Sequence, residues 1–265
     1  MKDTQDAKPD VLVGLEKVGV TNLKTLIHTT WKGQGYYFTP SIEITINLEK
    51  NKKGVHMSRL IESIAEAVEE ESAKTGSSIE DIEKRILEAL ARRHPYRRGE
   101  IRMETELIIP KETPVSRRKT AEAHQVEVSV IKDDGSYAKR LKVTVFGNTV
   151  CPHSMETAGV PHMQRAVGEL TVETGFGNVV GLEEMVECVE QSFSSEVYTL
   201  LKSEDEKHVV EKMYRNPKFV EDVAREILEK AKKRFRKCRI RSKVISHESI
   251  HRHDVIAEGS VQSSS

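Results

Sequence analysis

Near its C-terminus the chain reads His247-Glu248-Ser249-Ile250-His251-Arg252-His253-Asp254. His251 and His253 are two apart, so an extended backbone points both to one face. Two imidazoles on one face can bind a metal or relay protons, and Glu248 can serve as base or ligand. The competing reading is a solvated surface loop. Mid-chain, Cys151-Pro152-His153-Ser154 is followed by Val160-Pro161-His162. Thiolate and imidazole are good ligands for zinc or ferrous iron. Cys151 and His162, 11 residues apart, converge if the intervening loop folds back, with Pro152 and Gly159 shaping it. The bland alternative is a buried thiol and a surface histidine.

Two further clusters are basic. Lys52-Lys53-Gly54-Val55-His56-Met57-Ser58-Arg59 falls between a strand and a helix start, where outward amides often bind anions. Lys53, His56 and Arg59 could contact phosphate there, although ordinary capping explains the segment as well. In Lys230 to Arg241, 8 of 12 residues are Lys or Arg. Cations at a helix C-terminus offset the helix dipole, which is the simpler reading; polyphosphate or RNA contact is the other. Glu206 and Glu221 stand near helix starts but cannot be singled out by pattern among 42 acids. Cys188 lies beside an apolar helical stripe with Met185 and reads as core. No phosphate loop, Gly-x-Gly-x-x-Gly fingerprint or Gly-x-Ser-x-Gly elbow is present.

The elements that must carry these residues repeat in order. Residues 20–30 and 41–48 read as strands; in the second, Ile42, Ile44, Ile46 and Leu48 alternate with polar residues, so one face is buried. A helix follows with Met57, Leu60, Ile61, Ile64 and Val68 on its stripe. A second helix starts after Ser77-Ser78 and carries Ile79, Ile82, Ile86 and Leu90. Strands are expected at 101–110 and 124–132, then at 139–148 and 168–174. Helices come next at 182–192 and from Pro217 to Phe235, with Asn216 as cap, and strands close the chain at 238–246 and 254–259. Each half thus reads strand, strand, helix, helix, strand, strand. That predicts an α+β chain of two units, 11–132 and 138–259, with loose termini at 1–10 and 260–265. Helices cover one sheet face of each unit; the other needs a partner, so oligomerisation is expected.

The 265 residues suffice for a sizeable core without staples. Lys+Arg and Asp+Glu are both 42, so the chain lacks the basic excess of a dedicated DNA-binding domain. No window approaches the ~18 apolar residues of a membrane span, and the polar start does not read as a secretory signal. Three widely spaced cysteines are not a disulfide framework, so a cytoplasmic setting is expected.

Together these segments resemble the type IB GTP cyclohydrolases, from Val11 to about Gly259. The resemblance rests on six segments in order: Lys53-Gly54-Val55-His56-Met57-Ser58-Arg59, Cys151-Pro152, His162-Met163-Gln164-Arg165, Asp205-Glu206-Lys207, Asn216 to Asp222, and Glu248 to His253. Gly19-Val20-Thr21-Asn22-Leu23-Lys24 is more similar to the archaeal branch, which serves methanopterin-type synthesis. The resemblance implies the tunnelling fold, with two ββααββ units whose sheets form β-barrels on oligomerisation. It implies a homotetramer with interface active sites, no membrane and no nucleic acid. It implies GTP as substrate and a divalent metal, iron(II) first, with manganese(II) or zinc(II) as alternatives. Cys151, Glu206 and His162 are then the metal ligands, and His251, His253, Glu248 and His162 the catalytic residues. Glu221 is the guanine anchor, with Lys53, His56, Arg59 and Arg241 as further substrate contacts. One departure matters: many relatives carry a second cysteine after the proline, where this chain has His153. The rival readings are another tunnelling-fold pterin or deazapurine enzyme with Cys151 as nucleophile, and a non-enzymatic nucleotide- or RNA-binding protein.

Overall fold

The computed structural model describes residues 4–31, 34–72 and 78–264. They divide into two compact units, residues 1–105 with 127–140 and residues 106–126 with 141–265.

The first unit holds β1 (Leu15–Lys24), β2 (Ile27–Trp31), β3 (Gln34–Phe38), β4 (Ser41–Leu48), α1 (Met57–Ser72) and α2 (Ile79–Arg93). It also holds the near ends of three long strands, β5 (Arg98–Glu112), β6 (Lys119–Asp133) and β7 (Ser136–Val150). Its strand order is β1-β4-β5-β6-β7, with β2 and β3 as a separate hairpin. Where the apolar pattern suggests one strand over 20–30, the structure has β1 and β2 as partners in different sheets. β4 behaves as its alternation predicts, burying Ile42, Ile44, Ile46 and Leu48. The α1 stripe is narrower than expected. Leu60, Ile64 and Ala67 are buried, whereas Met57 and Ile61 are exposed. α2 buries Ile82, Ile86 and Leu90 and opens on a capping box in which Ser78 and Asp81 bond each other's amides. Ser77, the other candidate cap, lies outside the described residues.

The second unit holds the far ends of β5, β6 and β7 with α3 (Pro152–Ala158), β8 (Met163–Gly175), α4 (Leu182–Glu190) and β9 (Ser195–Glu196). α5 (Ser203–Arg215), α6 (Val220–Arg234), β10 (Arg239–Ser246) and β11 (Val255–Gln262) complete it. Its strand order is β5-β6-β7-β8-β10-β11, and β9 adds to β7. β8, β10 and β11 pair antiparallel, with Ser246 facing Ala166 on one side and Val255 on the other. The core combines Leu141, Val143 and Val145 of β7 with Leu170 and Val172 of β8, under Val189 of α4 and Val223, Ile227 and Ala231 of α6. The opposite face of these strands is charged: Lys142, Glu169, Arg241, Lys243 and Glu258 line one shallow pocket there.

Two boundaries differ from the sequence pattern. α6 starts at Val220 rather than Pro217, because Asp222 accepts the Phe219 amide (3.3 Å). Asn216 instead closes α5, its side-chain amide donating to the carbonyls of Phe193 and Ser194. β11 runs on to Gln262, and Ser263 beyond it is buried, its hydroxyl accepting the Cys238 amide (2.9 Å).

α2 and α6 carry nearly the same text. Ile79-Glu80-Asp81-Ile82 answers Val220-Glu221-Asp222-Val223, and Ile86-Leu87-Glu88 answers Ile227-Leu228-Glu229. The two glutamates differ in setting. Glu80 is buried and bonded to Lys139 (3.1 Å), whereas Glu221 is exposed.

Candidate active site

Cys151 is the N-cap of α3, its sulfur accepting the Ser154 amide at 3.4 Å. The helix is one the sequence reading takes for loop, and it is short enough to act as a turn. Gly159 ends it with φ 69°, a left-handed conformation that suits glycine, and the chain doubles back. The Cys151 amide then donates to the His162 carbonyl (3.1 Å), and the His162 amide donates to the Ser154 hydroxyl (3.1 Å). Tyr214 of α5 holds the turn from outside, its hydroxyl donating to the Gly159 carbonyl (2.7 Å). Cys151 and His162 are both half-buried; His153, the position that departs from the family pattern, is exposed.

Pairing of β8 with β10 brings the C-terminal cluster to the same corner. The His247 amide donates to the Arg165 carbonyl (2.9 Å), placing Glu248 beside Gln164. Glu248 Oε1 accepts from Gln164 Nε2 (3.3 Å) and from the Ser246 hydroxyl (3.0 Å). Its Oε2 lies 3.8 Å from His162 Nδ1. The His251 ring stands edge-on to His162, with centroids 6.5 Å apart, and stacks on His253 at 5.1 Å. These two histidines sit in the loop joining β10 to β11 rather than on a strand, so stacking brings them together, not strand alternation. His247 Nδ1 and Asp254 Oδ2, 3.0 Å apart, close the base of that loop.

Glu206 lies in the first turn of α5, exposed. α5 reaches the corner through Val209 and Met213, which pack on Val150 next to Cys151. Its buried neighbour Asp205, part of the same Asp205-Glu206-Lys207 segment, has a role that the sequence does not display. Asp205 Oδ1 accepts the amides of Val115 (2.9 Å) and Ser116 (2.8 Å), and Oδ2 accepts the Ser116 hydroxyl (2.6 Å) and the Lys202 amide (3.0 Å). Burial alone would push this carboxyl up; the four donors outweigh it and hold it below the usual carboxylate range. Glu122 is a second such anchor, accepting the hydroxyl (2.6 Å) and amide (3.0 Å) of Thr199. Nearby, Lys111 bonds Glu190 (2.7 Å) and sits over the Tyr198 ring at 4.5 Å. Burial pushes the Tyr198 hydroxyl up to about 12. Asp205 falls within the Asp205-Glu206-Lys207 segment of the family resemblance, but neither it nor Glu122 shows in the sequence which amides it holds.

Glu221 stands exposed on the first turn of α6, three residues after Lys218, whose amide donates to the Val150 carbonyl next to Cys151 (3.0 Å). Arg241 is on β10, five residues or about 17 Å from Ser246, with its guanidinium 2.7 Å from Glu258. Lys53, His56 and Arg59 belong to the first unit. There the Lys53 amide donates to the carbonyls of Gln5 (3.1 Å) and Ala7 (2.9 Å), while Arg59 Nη1 reaches the Arg93 carbonyl at 3.5 Å. The basic run ending α6 is largely ion-paired, Lys230 with Glu226 (3.0 Å), Lys233 with Glu229 (2.9 Å) and Arg234 with Glu184 (2.8 Å).

Among the described residues, no group of three or more His, Cys, Asp or Glu is arranged to hold a metal ion. Cys151 and His162 nevertheless present sulfur and nitrogen donors on two segments bonded to each other, and that pair suits a borderline-soft divalent ion. No helix among the described residues is long and apolar enough to cross a membrane.

Comparison with known proteins gives four matches. The model of the family described as type I GTP cyclohydrolase folE2 matches residues 1–257. The chain is 53% identical over 262 residues to the GTP cyclohydrolase MptA of Thermococcus kodakarensis, covering 97% of this chain and 98% of that one. It is 32% identical to the GTP cyclohydrolase MptA of Methanococcus aeolicus, covering 97% of this chain and 96% of the relative. Among solved structures, uricase from Arthrobacter globiformis superposes with a TM-score of 0.59 at 8% identity, covering 96% of both chains. At that identity the likeness speaks for the fold alone, the tunnelling fold of antiparallel strands backed by helices.

Proposed function

Because the chain belongs to the type I GTP cyclohydrolase family, we propose that it opens the imidazole ring of GTP by hydrolysis and releases C8 as formate. The product is a 7,8-dihydroneopterin phosphate, in its 2',3'-cyclic form, given the identity to relatives from Thermococcus and Methanococcus. The observation that carries the reading is the convergence of Cys151, His162, Glu248, His251 and His253 in one corner of the second unit.

Cys151, His162 and Glu206 would hold a divalent metal, iron(II) first. When bound, such an ion lowers the pKa of water so that hydroxide is available near neutral pH. The protein's own part is to place guanine and move protons. Glu221 offers two oxygens to the two adjacent N–H donors on the guanine edge, a charge-assisted bidentate match. His251 or His253 relays protons to N7 and N9 as the C8 bonds break. Glu248 accepts from Gln164 and Ser246, which fix its side chain beside the His162 ring. Lys53, His56, Arg59 and Arg241 are the candidate contacts for the triphosphate. A homotetramer with active sites at subunit interfaces would cover the helix-free sheet faces.

The test is anaerobic incubation with GTP and iron(II) or manganese(II), with formate assayed and the pterin identified by mass spectrometry. Wild-type protein releases formate, and Cys151→Ala loses both bound metal and turnover. Full metal content and full formate release in the variant would remove Cys151 from the ligand set.

A further inference from the structure

His162 is the best-connected ring in the site, and its bonds fix where its proton sits. Gln164 lies between it and Glu248. Its Nε2 is 3.3 Å from Glu248 Oε1, and its Oε1 is 2.9 Å from His162 Nδ1. A carboxylate can only accept, so the amide must turn its NH2 towards Glu248. The amide oxygen therefore faces His162, and it too can only accept. The second polar atom near Nδ1, Glu248 Oε2 at 3.8 Å, is another acceptor. A flipped amide would set its oxygen against the carboxylate, and with the amide as placed a ring protonated only at Nε2 would set its Nδ1 lone pair against the amide oxygen. The orientation is anchored further in. The Ser246 hydroxyl spends its one hydrogen on Glu248, so the Thr149 hydroxyl, 2.9 Å away, donates to Ser246. Thr149 and Ser246 are each 1% exposed, so this end of the chain of bonds is buried.

We propose that Gln164 is a positioning residue that holds His162 in the Nδ1–H tautomer, leaving Nε2 as the ring nitrogen that takes the metal. The assignment rests on His162 being a ligand as proposed above. It also gives Glu248 a task distinct from proton transfer to substrate, namely orienting the amide that orients the ring. An outer partner of this kind fixes both the tautomer and the direction of a ligating histidine.

The experiment uses the full chain labelled with [15N]histidine, with tautomers read from nitrogen chemical shifts before and after zinc(II), and zinc affinity measured by chelator competition. Wild-type protein without added metal shows His162 as Nδ1–H, and zinc shifts its Nε2. Gln164→Leu removes the acceptor; the tautomer preference is lost and zinc affinity falls about 10–100-fold. Gln164→Glu, sharing a proton with Glu248, reproduces both bonds and retains tautomer and affinity, a rescue that a packing role would not give. An Nε2–H ring in wild-type protein overturns the proposal, as does Gln164→Leu with tautomer and affinity unchanged. If Gln164→Leu does not fold, the wild-type spectrum and the glutamate variant decide. An Nδ1–H ring that zinc leaves unshifted upholds the tautomer and removes His162 from the metal site.

Discussion

Single carboxylates in this chain do opposite things according to what surrounds them. Glu221 is exposed at a helix start, ready for a ligand with paired N–H donors. Glu221→Gln should weaken binding of a GTP analogue by about 1.5–3 kcal/mol, roughly 10–150-fold in Kd by calorimetry. An unchanged Kd would take Glu221 out of the guanine contact. Glu83, on α2, is fully buried, and burial, aided by the nearby Glu80 charge, pushes its carboxyl well above the usual range. The folded state then keeps a proton that the unfolded chain gives up, so stability falls as pH rises from the ordinary glutamate range towards the raised pKa. Glu83→Gln should flatten that slope, which can reach about 1.4 kcal/mol per pH unit for one group, and raise Tm at neutral pH. Denaturant curves at a series of pH values would show it; equal slopes in the two proteins would refute it. Of the site residues, Cys151, His162, Glu248, His251 and His253 were legible because sulfur and imidazole are uncommon and their motifs match a family. Asp205 and Glu122 were not, because their worth lies in amides contributed by residues 115–116 and 199, and a sequence does not display who donates to whom.

At the level of elements, the alternating runs were readable wherever one face meets a core. β4 and α6 follow their patterns closely, and Val220, Val223, Ile227 and Ala231 are all buried. Short or locally capped pieces were harder. α3 exists because Cys151 and Gly159 close its two ends, and α5 because Asp205 caps it while gripping another loop. That grip is testable. Asparagine at position 205 keeps one acceptor oxygen and turns an NH2 towards donors, so it cannot reproduce four accepted bonds. Asp205→Asn should lower Tm and expose the 113–118 loop, speeding tryptic cleavage after Arg117 and Arg118. Because the folded state holds this carboxyl below its usual range, the wild-type advantage is present above the ordinary aspartate pKa and disappears as pH falls through the folded value. A variant as resistant to trypsin as wild type at neutral pH would show that the loop does not depend on Asp205.

For the whole molecule, a frame of two strands, two helices and two strands was legible because it recurs, while the β2–β3 hairpin in the first half and α3, β9 and α5 in the second interrupt it. The chain also spells one helix opening twice, and its two versions have parted ways. In the second version the acid is left facing outward; in the first, Lys139 has taken it. Saturation with a non-hydrolysable analogue should therefore end at one equivalent per polypeptide. Two equivalents would mean the earlier acid still receives a purine. What looks like a doubled machine is then an asymmetric one, with one half kept for its shape and the other for its appetite.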